Sequence, residues 1–355
     1  MTSSGTTTPL TRVIGAADLA AIVDDVGLDE LLDELVSRLV AAFGRHDDEV
    51  TITFDRAGFH YRKPDLGLLE WMPAMELGRR VAIKTVGYHP SNPVQRSLPS
   101  VLATTTLFDT ESGCMLAISE STILTALRTG AASAVATDIL ARPGPITLGV
   151  VGCGAQAVSQ VHAISRVRNV DRVLALDTDP AVAATLPGRL AFTGIEVDVV
   201  DPDQVGELVG AVDVLCTCTS VDPGAGPVIP DVVHRPWLHV NAVGADFADK
   251  VELPIELLRR SLVCPDVTSQ CRLEGECQQL TADEIGPDLP TVVRHRTHHA
   301  DAAQRPTVFD STGWSLEDLV ALDLVLEHAH RLDIGALVDL QAAAPDPYDP
   351  YGLLR

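Results

Sequence analysis

Aromatic side chains are scarce, making up 4% of the 355 residues. A core with so few rings must be filled by Ala, Val and Leu, which suits helices packed on a parallel sheet. Basic residues are outnumbered: 26 Lys and Arg face 49 Asp and Glu, for a net charge of -23. Such a surface repels phosphate backbones and anionic lipid, so neither nucleic acid nor a membrane is an expected partner. A small anionic ligand remains compatible, because a helix N-terminus and a few local cations suffice to hold one. No apolar run of about 18 residues is free of Gly, Pro or charge, so no transmembrane span is expected. The opening MTSSGTTTPLTRV lacks the basic and apolar regions of a secretory signal and reads as a short unstructured tail. The seven cysteines are odd in number, contain no Cys-x-x-Cys pair and show no framework spacing, which points to reduced thiols in a cytoplasm. Cys216 and Cys218 alternate within an apolar run and read as buried structural thiols on one face of a strand. No metal site is expected, since nothing nearby completes a ligand set.

What is present is organised in two patterns, and the length suits two domains. Residues 16–44 carry helical periodicity, with Asp29 placed to cap the second of two helices. From 50 to 120, the short β-rich runs VTITF, LLEWMPAM, VAIKTVGY, VLATTTLFD and CMLAI predict an antiparallel sheet. Residues 119–141 read as helix. From 145 onward strands and helices alternate: ITLGVVG, AVSQVHAISRV, VDRVLALD, AVAATLPGRLAF, GIEVDVV, VDVLCTCT, WLHVNAVG and SLVCPD. That alternation predicts a doubly wound parallel sheet. A further helix over about 316–334 is expected to pack back on the N-terminal domain. The tail APDPYDPYGLLR is too Pro-rich for helix or central strand. RHRTHHADAAQ is His-rich but reads as a solvated loop, and Glu274 and Glu276 suit helix-cap or interface roles as well as an acid pair.

The strand ITLGVV runs into Gly152, Cys153, Gly154, Ala155, Gln156 and Ala157, where a helix begins. This is the GxGxxA dinucleotide fingerprint: Gly152 permits the tight turn, Gly154 lets backbone approach a pyrophosphate, and Ala157 lets helix and strand pack closely. Asp177, at the end of the next strand, is placed to accept hydrogen bonds from the adenosine ribose and to repel a 2′-phosphate, which favours NAD over NADP.

Several segments together carry a resemblance. GCGAQA, HVNAVGADFADKVEL, RLEGECQQL and VFDSTG, preceded by LLEWMPAM, IKTVGYHPSN and ILTALRTGAASAVATDILA, stand in the order found in the ornithine cyclodeaminase/mu-crystallin family. The resemblance covers about residues 50–330. Within the family, TGAASAVATDILARPGP, PVIP and DPYGLL are most similar to the actinobacterial branch that cyclises L-lysine to L-pipecolate with loss of ammonia. The resemblance implies an α/β fold: a doubly wound Rossmann NAD domain over 132–319, and an α+β substrate-binding and dimerisation domain over 1–131 and 320–355. It implies a homodimer, a small basic amino acid as substrate, and NAD as a retained hydride carrier that first oxidises the amine and then reduces the cyclic imine.

Roles follow residue by residue from the resemblance. Asp246, after the strand HVNAVGA, falls at the catalytic acid/base. Arg56, Lys84 and Arg128 fall at carboxylate-binding positions, with Arg62 competing for the first role and cofactor phosphates for Arg128. Glu70 is expected to meet the substrate's amino groups, because a buried unpaired carboxylate is costly and the substrate is a cation. Thr312 falls at a substrate contact where ornithine-specific relatives are apolar. Ser100, Val101, Thr219, Val243, Gly244, Ala245, Lys250 and Ser311 join Gly152, Gly154, Ala155, Gln156 and Asp177 in the expected cofactor set. L-ornithine cyclisation to L-proline, ketimine reduction or amino-acid dehydrogenation, and mu-crystallin-like binding without catalysis remain alternatives on the same fold.

Overall fold

The computed structural model describes residues 10–47, 49–341, 344 and 346–355, with no side-chain description for 299–301 and 303. In chain order its elements begin with β1 (Thr11–Ile14), α1 (Ala16–Val26), α2 (Leu28–Arg45), β2 (Thr51–Thr53), β3 (Ala57–Tyr61), β4 (Gly67–Glu76) and β5 (Arg80–Tyr88). There follow α3 (Asn92–Arg96), β6 (Val101–Asp109), β7 (Met115–Glu120), α4 (Thr122–Leu140), β8 (Ile146–Val151), α5 (Ala155–Val167), β9 (Val170–Leu176) and α6 (Pro180–Arg189). Then come β10 (Val197–Val199), α7 (Val205–Ala211), β11 (Val214–Thr217), β12 (His239–Ala242), α8 (Ile255–Arg260), β13 (Leu262–Pro265) and α9 (Thr268–Glu274). The chain closes with α10 (Leu289–Arg294), β14 (Thr307–Asp310), α11 (Ser315–Leu332) and β15 (Ala336–Val338). Two compact units result: Met1–Leu28 with Asp47–Leu124 and Ala321–Arg355, and Asp29–His46 with Thr125–Val320. The fold is α/β, with one mixed and one parallel sheet.

The first unit is built on a sheet of order β15-β1-β7-β6-β5-β4-β2, with β3 also paired to β4. Its strands between residues 51 and 120 pair antiparallel, as expected, and the sheet as a whole is mixed because β1, outside that stretch, runs parallel to β7. The expected tail therefore ends early: Met1–Pro9 lie outside the described residues, but Thr11–Ile14 form a strand whose partners stand far along the chain. Alternation along β4 and β5 sends Glu70, Met72, Ala74, Ala82, Lys84 and Val86 to the buried face. Met72, Val86 and Ala103 form a small apolar cluster there.

The second unit holds a seven-stranded, all-parallel sheet of order β10-β9-β8-β11-β12-β14-β13. Both faces are covered by apolar side chains. One cluster joins Ile146, Leu148 and Val150 to Ile164 and Leu186, and the other joins Leu215 and Val240 to Leu208 and Leu258. Burying each such side chain contributes about 1.5–3 kcal/mol. Strand order reverses between β8 and β11, so the crevice outside their C-terminal ends is the switch point where α/β sheets bind ligands.

Two local expectations are corrected. Asp29 lies inside the first turn of α2 rather than capping it, and its carboxylate meets His162 Nε2 and Arg166, each at 2.8 Å. The His-rich stretch forms a 3₁₀ helix over Arg296–Gln304 rather than an irregular loop, with the rings of His295 and His298 stacked 5.4 Å apart. Among the described residues α4 is the one helix long and apolar enough to cross a membrane, and 83% of its apolar window is buried within the protein.

Candidate active site

The glycine turn sits at the switch point. Gly152 has φ +93°, and a Cβ there would stand 2.7 Å from the Cys218 carbonyl oxygen, so only glycine fits. Its N–H donates to Leu176 O at 2.8 Å, tying the end of β8 to β9. Asp177 then accepts the N–H of Cys153 at 2.7 Å on one oxygen and that of Asp179 at 2.9 Å on the other. Arg189, on α6, donates to the carbonyls of Cys153 at 2.6 Å and Gly154 at 3.1 Å. A cation thus holds the carbonyls of the turn, and a carboxylate holds one of its amides.

Gly154 caps α5 without a side-chain hydrogen bond, and open space surrounds the position of its missing Cβ. Gly154 and Ala155 are exposed, while Ala157 is fully buried against the sheet. The first-turn amides and the helix dipole thus face an approachable surface, which is what a dinucleotide diphosphate requires. Each Asp177 oxygen keeps a lone pair for a ribose hydroxyl. These residues fit NAD.

The neighbouring strand ends bring the remaining predicted residues of this unit into one row. Thr219 follows β11, Val243, Gly244, Ala245 and Asp246 follow β12, and Ser311 and Thr312 follow β14. Asp246 is half-exposed and receives Lys250 Nζ at 2.8 Å, while Lys250 itself is buried. Lys250 thus touches the predicted acid/base. Ser311 N–H donates to Ala242 O at 2.9 Å, and the Ser311 hydroxyl faces Asp266 at 3.3 Å. The Thr312 hydroxyl accepts from Gln270 at 2.8 Å and donates to Asp266 at 3.2 Å, so it belongs to a buried polar network. Arg128 is buried, donates to Glu317 at 2.9 Å and has Asp318 at 3.2 Å. Burial opposes its charge, but Asp318, Glu317 and Asp266 hold the guanidinium above the usual arginine value. Burial pushes Glu317 up to about 8 against the pull of Arg128.

In the first unit, Arg56 lies 3.6 Å from Glu70, and His60 Nε2 lies 3.1 Å from the other Glu70 oxygen. The Arg56 side chain is 8% exposed, whereas Arg62 is on the surface. Lys84 is 1% exposed, opposite Met72 and Thr105 on the neighbouring strands and diagonal to Glu70. Ser100 accepts the His89 N–H at 2.7 Å through its carbonyl, and Val101 packs on the Met72 cluster.

His60, Arg189, Asp266 and Glu252 are not among the residues expected from the sequence. Glu252 is fully buried and takes four hydrogen bonds from the ends of β11 and β12. Glu276, half of the suspected acid pair, accepts the backbone N–H of Glu252 at 2.6 Å, and its own N–H donates to Asp310 at 2.9 Å. A charged residue inside an apolar run, as in KVELP, was the available signal for Glu252; it is the same signal that singled out Glu70 and Lys84.

An all-parallel sheet with its strand order reversing beside a GxGxxA turn defines a dinucleotide-binding Rossmann unit. Residues 17–332 match the ornithine cyclodeaminase/mu-crystallin family, and the chain belongs to it. It is 40% identical to L-lysine cyclodeaminase of Streptomyces rapamycinicus over 344 residues, 97% of this chain and 99% of the relative. It also resembles a solved lysine cyclodeaminase structure concerned with recognition of L-lysine, L-ornithine and L-2,4-diaminobutyric acid. That match has a TM-score of 0.92 and 42% identity, covering 97% and 99% of the two chains. An archaeal alanine dehydrogenase dimer with bound NAD matches at TM-score 0.82 and 27% identity, covering 93% and 99%.

Proposed function

We propose that this protein is an NAD-dependent cyclising deaminase that converts L-lysine to L-pipecolate and ammonia. The observation that carries this reading is the likeness to lysine cyclodeaminase in both sequence and fold along almost the whole chain. The reaction has no net oxidant: one amine is lost as ammonia and the carbon skeleton closes through the other. Bound NAD supplies a hydride acceptor that is restored within the same turnover.

In this reading Asp246 takes a proton from the substrate ammonium, and Lys250 orients its carboxylate. Arg56, Lys84 and Arg128 offer cations to the α-carboxylate, with Arg bidentate and Lys a point charge. Glu70 offers a carboxylate to the substrate's amino groups, and Thr312 shapes the end of its aliphatic chain. Ser100, Val101, Thr219, Val243, Gly244, Ala245, Lys250 and Ser311 contact the cofactor beside the glycine turn and Asp177. The substrate-binding and dimerisation domain is assigned to 1–131 and 320–355, and the Rossmann domain to 132–319.

The test is product analysis. Purified protein with NAD is incubated with L-lysine or L-ornithine, and pipecolate and proline are resolved by chromatography. Pipecolate from lysine as the preferred reaction is expected; proline as the dominant product would refute the lysine assignment. Net accumulation of NADH would instead mark a dehydrogenase.

The quaternary state is proposed to be a homodimer. The outward face of the first sheet supports it: Phe59, Leu69, Trp71 and Leu102 are 67%, 43%, 39% and 43% exposed and adjoin across β3 to β6. A contiguous apolar face of this kind marks an interaction surface. A cytoplasmic location is proposed from the single, mostly buried thiols, all seven of which are free.

A further inference from the structure

We propose that Glu252 is the positioning residue of the cofactor loops, an inference that rests on reading the chain as an NAD enzyme. Its Oε1 accepts the Thr219 N–H and the Thr219 hydroxyl, each at 2.7 Å. Its Oε2 accepts the Gly244 N–H at 2.8 Å and the Thr217 hydroxyl at 2.7 Å. One fully buried carboxylate therefore ties the segment after β11 to the segment after β12, and Asp246 is two residues beyond the second anchor.

The donors explain why the group is a carboxylate. The hydroxyls of Thr217 and Thr219 can rotate, but the two backbone N–H groups cannot, and one points at each oxygen. A neutral glutamine of the same shape would turn its NH₂ toward one of those N–H groups whichever way it flipped. Burial pushes the Glu252 carboxyl up, and the Thr219 and Thr217 donors and nearby Lys250 pull it back. The approach is close enough to dictate a second residue: a Cβ on Gly244 would stand 2.4 Å from Glu252 Oε1 and 2.7 Å from Thr219 O. Glu252 is itself anchored, since Glu276 accepts its backbone N–H and, at 3.3 Å, that of Leu253.

The experiment compares NAD affinity by calorimetry and amide hydrogen exchange in the full-length wild type, Glu252→Gln and Glu252→Asp. Glu252→Gln is expected to raise the NAD Kd about tenfold, the size of losing a hydrogen bond to a charged group. Exchange should accelerate at Gly244 and Thr219, while amides within β8 and β9 keep their protection. Glu252→Asp, with the charge on a shorter stem, should recover part of the affinity. Wild-type Kd and protection in Glu252→Gln would overturn the proposal. If that variant fails to fold, Thr217→Val removes one donor from the same carboxylate; a raised Kd supports the proposal and an unchanged one refutes it. A wild type that binds NAD yet converts no basic amino acid sinks the proposed activity alone, because the Glu252 comparison is read in affinity and exchange.

Discussion

Asp246 and Lys250 sit four residues apart, yet their surroundings differ: the carboxylate is 43% exposed and the ammonium 7%. The carboxylate is therefore reachable by a ligand while its ion-pair partner is held in the protein. Asp246→Asn should lower kcat about a thousandfold, at the middle of the range for general acid–base catalysis, while NAD affinity stays within about twofold. Steady-state kinetics with calorimetry on the same sample checks this, and a variant at wild-type rate removes Asp246 from the chemistry. Cys216 offers a contrasting case. Burial pushes its thiol up to about 12, so no thiolate forms near neutral pH. Iodoacetamide should leave Cys216 unlabelled in the folded protein and label it after unfolding in urea, as read by peptide mass spectrometry.

The turn after β8 depends on Gly152 adopting φ +93° beside the Cys218 carbonyl. Gly152→Ala should cost about 1–3 kcal/mol of stability and abolish measurable NAD binding, because strain and overpacking fall on the same residue. Denaturant melts and calorimetry test both parts; a variant that binds NAD normally contradicts the assignment of the turn. This element was legible beforehand because strand, glycine turn, helix and terminal acid are all local and in order. The same held for β4 and β5, where period-two alternation isolates Glu70 and Lys84. Four strands were not legible. Segments β1 and β15 are four and three residues long and pair with each other across the chain, β3 is almost wholly exposed, and β14 is four residues long and runs straight into the FDSTG motif. The buried carboxylates Glu252, Asp266 and Glu276 are harder to place for a related reason: a charge in an apolar run marks Glu252, but many of the donors to all three are backbone amides, which leave no mark on composition or spacing.

On the scale of the whole molecule, the apolar outer face of the first sheet is the feature that calls for a partner. Phe59 and Trp71 meet edge to face with ring centroids 5.7 Å apart, which makes an aromatic pair at its β3–β4 end. Trp71→Glu should weaken self-association by about 2 kcal/mol, roughly thirtyfold in Kd, moving the light-scattering mass toward the monomer. A variant that is unchanged in mass, or a monomeric wild type, contradicts the dimer. The order of the segments has a further consequence for how the chain is made. The second unit is complete once residue 320 has emerged, whereas the first waits for its last segment, Ala321–Arg355. Its strand β1 pairs with β15 through Thr11 and Val338, so β1 lacks one neighbour until the segment that carries β15 has been made.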